Sequence, residues 1–146
     1  MMDRIEKTIE LAAPVSRVWL ALTDHLQFAV WFRAEISGPF VEGARLQGVS
    51  TIPDNECVSW EMIVTAMEPE HLFSFTWQDT PQENERSSEP ATLVTFELEA
   101  NSGGTRLRII ESGFAALSDK HRSEMFRENT QGWNMQAGNI AAYINA

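Results

Sequence analysis

The chain has 146 residues, with 21 acidic against 11 basic side chains and a formal charge of −10. That length predicts one domain with its own core, and the acidity argues against nucleic acid or an anionic membrane as a partner, since like charges repel. A lone cysteine, Cys57, excludes an internal disulfide and a multi-cysteine zinc site.

His25, His71 and His121 show no ligand spacing, so no metal and no cofactor is expected. The opening Met1-Met2-Asp3-Arg4 carries no apolar signal segment, and no stretch approaches membrane-spanning length. The expectation is a soluble cytoplasmic protein, monomer or dimer.

Ile5, Ile9 and Leu11 alternate with Glu6, Thr8 and Glu10, the pattern of a strand with one wet face. Pro14 suits the first turn of a helix, and Val15, Val18, Trp19 and Leu22 follow at helical spacing. Asp24 can cap a second short helix whose apolar residues are Leu26, Phe28, Trp31 and Phe32. Two short strands are expected around 33–38 and 44–51, set off by Gly38-Pro39 and Gly43.

Residues 56–67 read as a strand with Val58, Trp60, Met62, Val64 and Ala66 on one face, and with Cys57, Ser59 and Glu61 on the other. Glu68-Pro69-Glu70 turns into a return strand over 71–77, where Phe73, Phe75 and Trp77 alternate with Ser74 and Thr76. The polar segment 78–90 with its two prolines is a long loop, either a solvated connection or a lid. A strand over 91–99 puts Val94, Phe96 and Leu98 inward, and Asn101-Ser102-Gly103-Gly104 turns into a strand over 105–113. There Leu107, Ile109 and Glu111 share a face, so an acid ends an apolar row. Residues 118–145 form one long helix with Ser118 as N-cap and Phe126, Trp133, Ala137, Ile140 and Ile144 as its stripe. Antiparallel strands with segregated helices make this an α+β chain.

The motifs Arg17-Val18-Trp19-Leu20-Ala21-Leu22-Thr23-Asp24 and Trp31-Phe32 resemble the opening of the START-like, polyketide-cyclase-like (SRPBCC) superfamily. The subgroup resembled is that of the heat-shock-protein-ninety ATPase activator-like proteins. Val64 to Leu72 with Phe75-Thr76-Trp77 is similar to its hairpin. Thr92 to Leu98, Gly104 to Leu107 and Ser112-Gly113-Phe114 match its later strand pair, and Gly132-Trp133 with Ala137, Ile140 and Ile144 its terminal helix. The resemblance spans nearly the whole chain. It implies a helix-grip fold: a curved antiparallel sheet of about seven strands wrapped around the C-terminal helix, with two short helices after the first strand and a cavity between. It implies no single activity, because relatives bind lipids, sterols or polyketides and some are cyclases or hydrolases. This chain departs from the pattern at Glu70, where the family has a second proline, and at His71, where it has Arg. Ala137 stands where Leu is commoner, which makes either a roomier interior or a space filled by Met135 or a strand residue.

Trp31, Trp60, Phe75, Trp77, Phe96 and Trp133 are either core or the wall of an apolar ligand pocket. Glu111 has three readings: a buried partner such as Arg or the Trp133 ring nitrogen, a wet sheet end, or the polar anchor of the pocket with Asn129. The leading expectation is binding of a small apolar or aromatic ligand by these eight residues. On that reading Glu111→Gln alters affinity and leaves the melting temperature nearly unchanged. The alternatives are a cyclase- or hydrolase-type enzyme with Glu111 as general acid or base, and a chaperone-interacting module. No nucleophilic elbow or phosphate loop is present.

Overall fold

The apolar rows at the two ends of the chain meet in one sheet. The computed structural model describes residues 3–53, 58–80 and 88–145. Strand β1 (Arg4–Leu11) is followed by helices α1 (Val15–Thr23) and α2 (His25–Phe32). Six strands come next: β2 (Ala34–Ile36), β3 (Arg45–Ser50), β4 (Ser59–Glu68), β5 (Leu72–Asp79), β6 (Thr92–Asn101) and β7 (Gly104–Ser112). Helix α3 (Asp119–Asn145) closes the chain. The spatial order is β1-β7-β6-β5-β4-β3-β2, antiparallel throughout. This is the helix-grip α+β architecture.

Local chemistry sets the junctions. The Asp24 carboxylate accepts from Leu26 N at 3.0 Å and starts α2, as expected of an N-cap. Arg33 ends α2 in the left-handed region at φ 62°. Gly104 approaches the β1–α1 connection so closely that a Cβ there would lie 2.2 Å from Leu11 O.

The expected faces hold with one correction. Trp60, Met62 and Val64 point inward, but pairing in the β4–β5 hairpin shifts between Val64 and Ala66. Ala66 therefore opposes Ser74, and Met67 opposes Phe73 and packs on the core instead. A β-bulge inserts one residue and so reverses which alternate row faces in. Val58, expected on the inner row, precedes β4 and is half exposed. Cys57 lies outside the described residues, as does most of the 78–90 loop; Gln78 and Asp79 extend β5.

Helix α3 buries Trp133, Ala137, Ile140 and Ile144, while Met135 is exposed and so does not fill the space beside Ala137. Phe126 is half-buried, edge-on to Phe114 at 5.1 Å between centroids. Gln136 is also buried, and its Nε2 donates to Phe32 O at 2.8 Å, which joins α3 to the end of α2. At both Gly132 and Gly138 an added Cβ would meet nothing within 4 Å, so neither glycine serves a close approach to the sheet.

Candidate functional site

Glu111 is fully buried. It sits on β7 opposite Ile5 of β1 and Val94 of β6. An ionised carboxyl accepts through both oxygens and donates nothing. Four side chains supply matching donors. Trp133 Nε1 donates to Oε1 at 2.8 Å, and Trp77 Nε1 to Oε2 at 2.9 Å. Thr92 Oγ1 donates to Oε2 at 2.5 Å, and Asn129 Nδ2 lies 3.1 and 3.0 Å from the two oxygens. Asn129 and Trp133 are four residues apart, which puts them on one face of α3. The carboxylate thereby joins β5, β6, β7 and α3. None of these partners is a cation.

A cavity of about 380 Å³ opens beside this hub. Phe32, Trp60, Trp77 and Met125 form its apolar wall, and Ser50, Ile52, Thr92 and Asn129 line it further. Exposed Arg33, Val58 and Glu128 stand among its lining residues, so it reaches the surface. A recess of about 100 Å³ adjoins it, bounded by Phe32, Trp77, Trp133 and Gln136. The rings meet edge-on: Phe32 lies 5.8 Å from Trp60 and 6.1 Å from Trp77, and Trp60 lies 5.9 Å from Trp77. Trp77 and Trp133 are stacked at 5.7 Å, so the two indoles that donate to Glu111 also support one another. The Trp60 ring lies over Gly48, where a Cβ would come within 2.3 Å of the indole. The Trp60 N–H is buried and has no acceptor among the described residues.

The expected site residues separate into three groups. Trp60, Trp77 and Asn129 line the cavity, and Trp133 lines the adjoining recess. Glu111 lies behind the wall, reached only through its donors. Trp31, Phe75 and Phe96 are buried away from both spaces. Trp31 Nε1 donates to Ala21 O at 2.8 Å and so pins α2 to α1, and Phe75 and Phe96 pack in the aromatic core 6.1 Å apart.

Sequence reasoning missed the Glu89 cluster. Glu89 lines the cavity and is itself buried. Its carboxylate accepts from Ser118 N at 2.8 Å and from Ser118 Oγ at 2.5 Å, with His121 Nδ1 at 2.6 Å. Ser118 hydrogen bonds, more than His121, push the Glu89 carboxyl down to about 2. Ser118 Oγ lies 3.5 Å from His121 Nδ1 and faces the carboxylate instead, so the three groups form a clasp rather than a nucleophile with its base. The clasp holds the approach to β6 against the start of α3. Nothing at the sequence level pairs residues 32 apart across a polar loop. Among the described residues no group of His, Cys, Asp and Glu could hold a metal ion, and no helix is long and apolar enough to cross a membrane.

The family model described as "Activator of Hsp90 ATPase homolog 1-like protein" matches residues 12–145. No curated protein matches the chain by sequence. Among solved structures, MLL2253 from Mesorhizobium loti is 20% identical with a TM-score of 0.80, the match covering 97% of this chain and 96% of that one. Ms6760 from Mycobacterium smegmatis is 22% identical with a TM-score of 0.80, covering 97% and 90%. DynU16, a protein of the dynemicin biosynthetic locus, is 23% identical with a TM-score of 0.76; the match covers 99% of this chain and 48% of DynU16. At these identities the likeness is one of fold.

Proposed function

This chain belongs to the Activator of Hsp90 ATPase homolog 1-like family, and from that premise we propose that it binds a small apolar or aromatic molecule between sheet and α3. The observation that carries the reading is the cavity of about 380 Å³ walled by Phe32, Trp60 and Trp77. Ligand pockets combine a mostly apolar wall with a few placed polar groups. Thr92, Asn129 and Ser50 supply those groups here. The family resemblance, with its lipid- and polyketide-binding relatives, supports the same reading.

Binding is favoured over turnover by the state of Glu111. Both of its oxygens are engaged by donors, and it does not reach the cavity. A general acid or base has to reach the reacting group, directly or through one water. Its role in this reading is to hold the wall.

The test is calorimetric titration with 2-tert-butylnaphthalene, with the indole N–H resonances followed by NMR. Saturable one-to-one binding that moves the Trp60 and Trp77 signals is expected. A plug at the mouth, Val58→Trp, should abolish it. Binding that does not saturate, or that survives the plug, overturns the proposal.

A further inference from the structure

We infer that the cavity selects an organic cation, an apolar or aromatic body bearing an ammonium group, over neutral and anionic molecules of the same shape. This deepens the ligand-binding reading and rests on it. The first observation is Glu111. It is a fully buried carboxylate whose five hydrogen bonds all come from neutral side chains, and among the described residues no Lys, Arg or His bonds to it. Neutral donors orient and stabilise a carboxylate, but they leave its net charge in place. A buried charge without a counter-ion is costly, and its field extends through the low-dielectric interior.

That field emerges at the cavity. Trp77 donates its N–H to Glu111 and presents its ring to the cavity lining. A carboxylate on the N–H pushes electron density into the indole and strengthens the negative face that attracts cations. Phe32 and Trp60 stand edge-on around the same space, within 6.1 Å of Trp77. Three rings around one space are the arrangement that recognises quaternary ammonium groups.

The lining supplies the third observation. Its charged side chains are Asp79, Glu89 and Glu128 against Arg33 alone. Glu89 is engaged by Ser118 and His121. Asp79 is half-buried in β5, and Glu128 stands exposed on α3. A cleft lined by one sign of charge raises the local concentration of the opposite sign. An anionic ligand such as a free fatty acid would instead meet Asp79 and Glu128 on the way in and Glu111 behind the wall.

The test compares three probes with one aromatic body and heads of similar size: 2-naphthyltrimethylammonium, 2-tert-butylnaphthalene and naphthalene-2-sulfonate. Affinities are measured by calorimetry on the full chain at low salt. The cation is expected to bind about tenfold more tightly than the neutral probe, and the sulfonate more weakly than either. Asp79→Asn with Glu128→Gln should narrow the cation-to-neutral ratio to about threefold, with the neutral affinity retained. Should the pair of substitutions unfold the chain, Glu128→Gln alone, at an exposed helix position, gives the same readout in smaller measure. Equal affinities in the unsubstituted protein, a preference for the sulfonate, or a ratio unmoved by the substitutions overturns the inference and leaves the cavity reading standing. Failure of all three probes to bind overturns both.

Discussion

Replacing Glu111 by Gln keeps the shape of the side chain and converts one of its two acceptor oxygens into an N–H donor. With the amide nitrogen at the Oε1 position, it faces the Trp133 N–H, which sits 2.8 Å from that position. At the Oε2 position it faces the Trp77 N–H at 2.9 Å. Thr92 can rotate its hydroxyl to accept and Asn129 can flip its amide, but an indole nitrogen cannot accept. One buried indole N–H is therefore left unpaired in either orientation, at a cost of about 1–3 kcal/mol. The remaining hydrogen bonds pass from a charged acceptor to a neutral one and lose about 1 kcal/mol more. The expected destabilisation is about 3 kcal/mol, read as a lower urea midpoint at unchanged slope and a melting temperature down by roughly 6–12 °C. This reverses the expectation from sequence that Glu111→Gln spares stability. A second substitution sharpens the test. Trp133→Phe, or Trp77→Phe if that is the indole facing the amide, should destabilise the parent and cost nearly nothing once Glu111→Gln is in place. A loss below about 1 kcal/mol in Glu111→Gln, or additive losses in the cycle, would refute the hub.

Two further outcomes follow from the clasp and from the sheet. The carboxyl of Glu89 is held below its usual 4.5, at about 2, so the stability it contributes is present above pH 4.5 and fades as the pH falls toward 2. Glu89→Gln should be less stable than the parent at neutral pH in chemical denaturation, with the gap closing between pH 4.5 and 2; a gap independent of pH would contradict the clasp. Gly48→Ala places a methyl carbon 2.3–2.6 Å from three atoms of the Trp60 indole, so the ring must move. The expected loss is about 1–3 kcal/mol, together with weaker binding of 2-tert-butylnaphthalene, and unchanged binding would separate Trp60 from the cavity.

The part of this molecule legible in its sequence is the part governed by local period. Leu107, Ile109 and Glu111 share a face because strand side chains alternate, and that alone placed an acid inside. Asn129 and Trp133 lie one helical turn apart, so both could be named as partners beforehand. What stayed hidden depends on register and docking. Thr92 and Trp77 come to Glu111 only through the pairings Val94↔Glu111 and Trp77↔Thr92. Ala66 and Met67 exchange faces because a single extra residue breaks the alternation, and no propensity marks the spot. Glu70 adopts φ 65°, which proline cannot, so the residue that departs from the family pattern also fixes the backbone of its turn. The mouth residues Arg33, Ser50, Ile52 and Met125 come from well-separated stretches of chain and share no spacing.

Trp31, Phe75 and Phe96 show why aromatic patterning alone could not separate wall from core. All the candidate rings lie on inward rows, but among them only Trp77 and Trp133 have their N–H groups held by a buried acid. An indole tied at its nitrogen cannot turn to fill neighbouring space, and the stacked pair ties down both rings at once. Packing by apolar contact favours closing voids, whereas hydrogen bonds of fixed direction resist the rotation that would close one. The buried carboxylate and the open space beside it are on this argument one construction: the anion holds the wall in place, and its uncancelled charge sets the sign of what the wall admits.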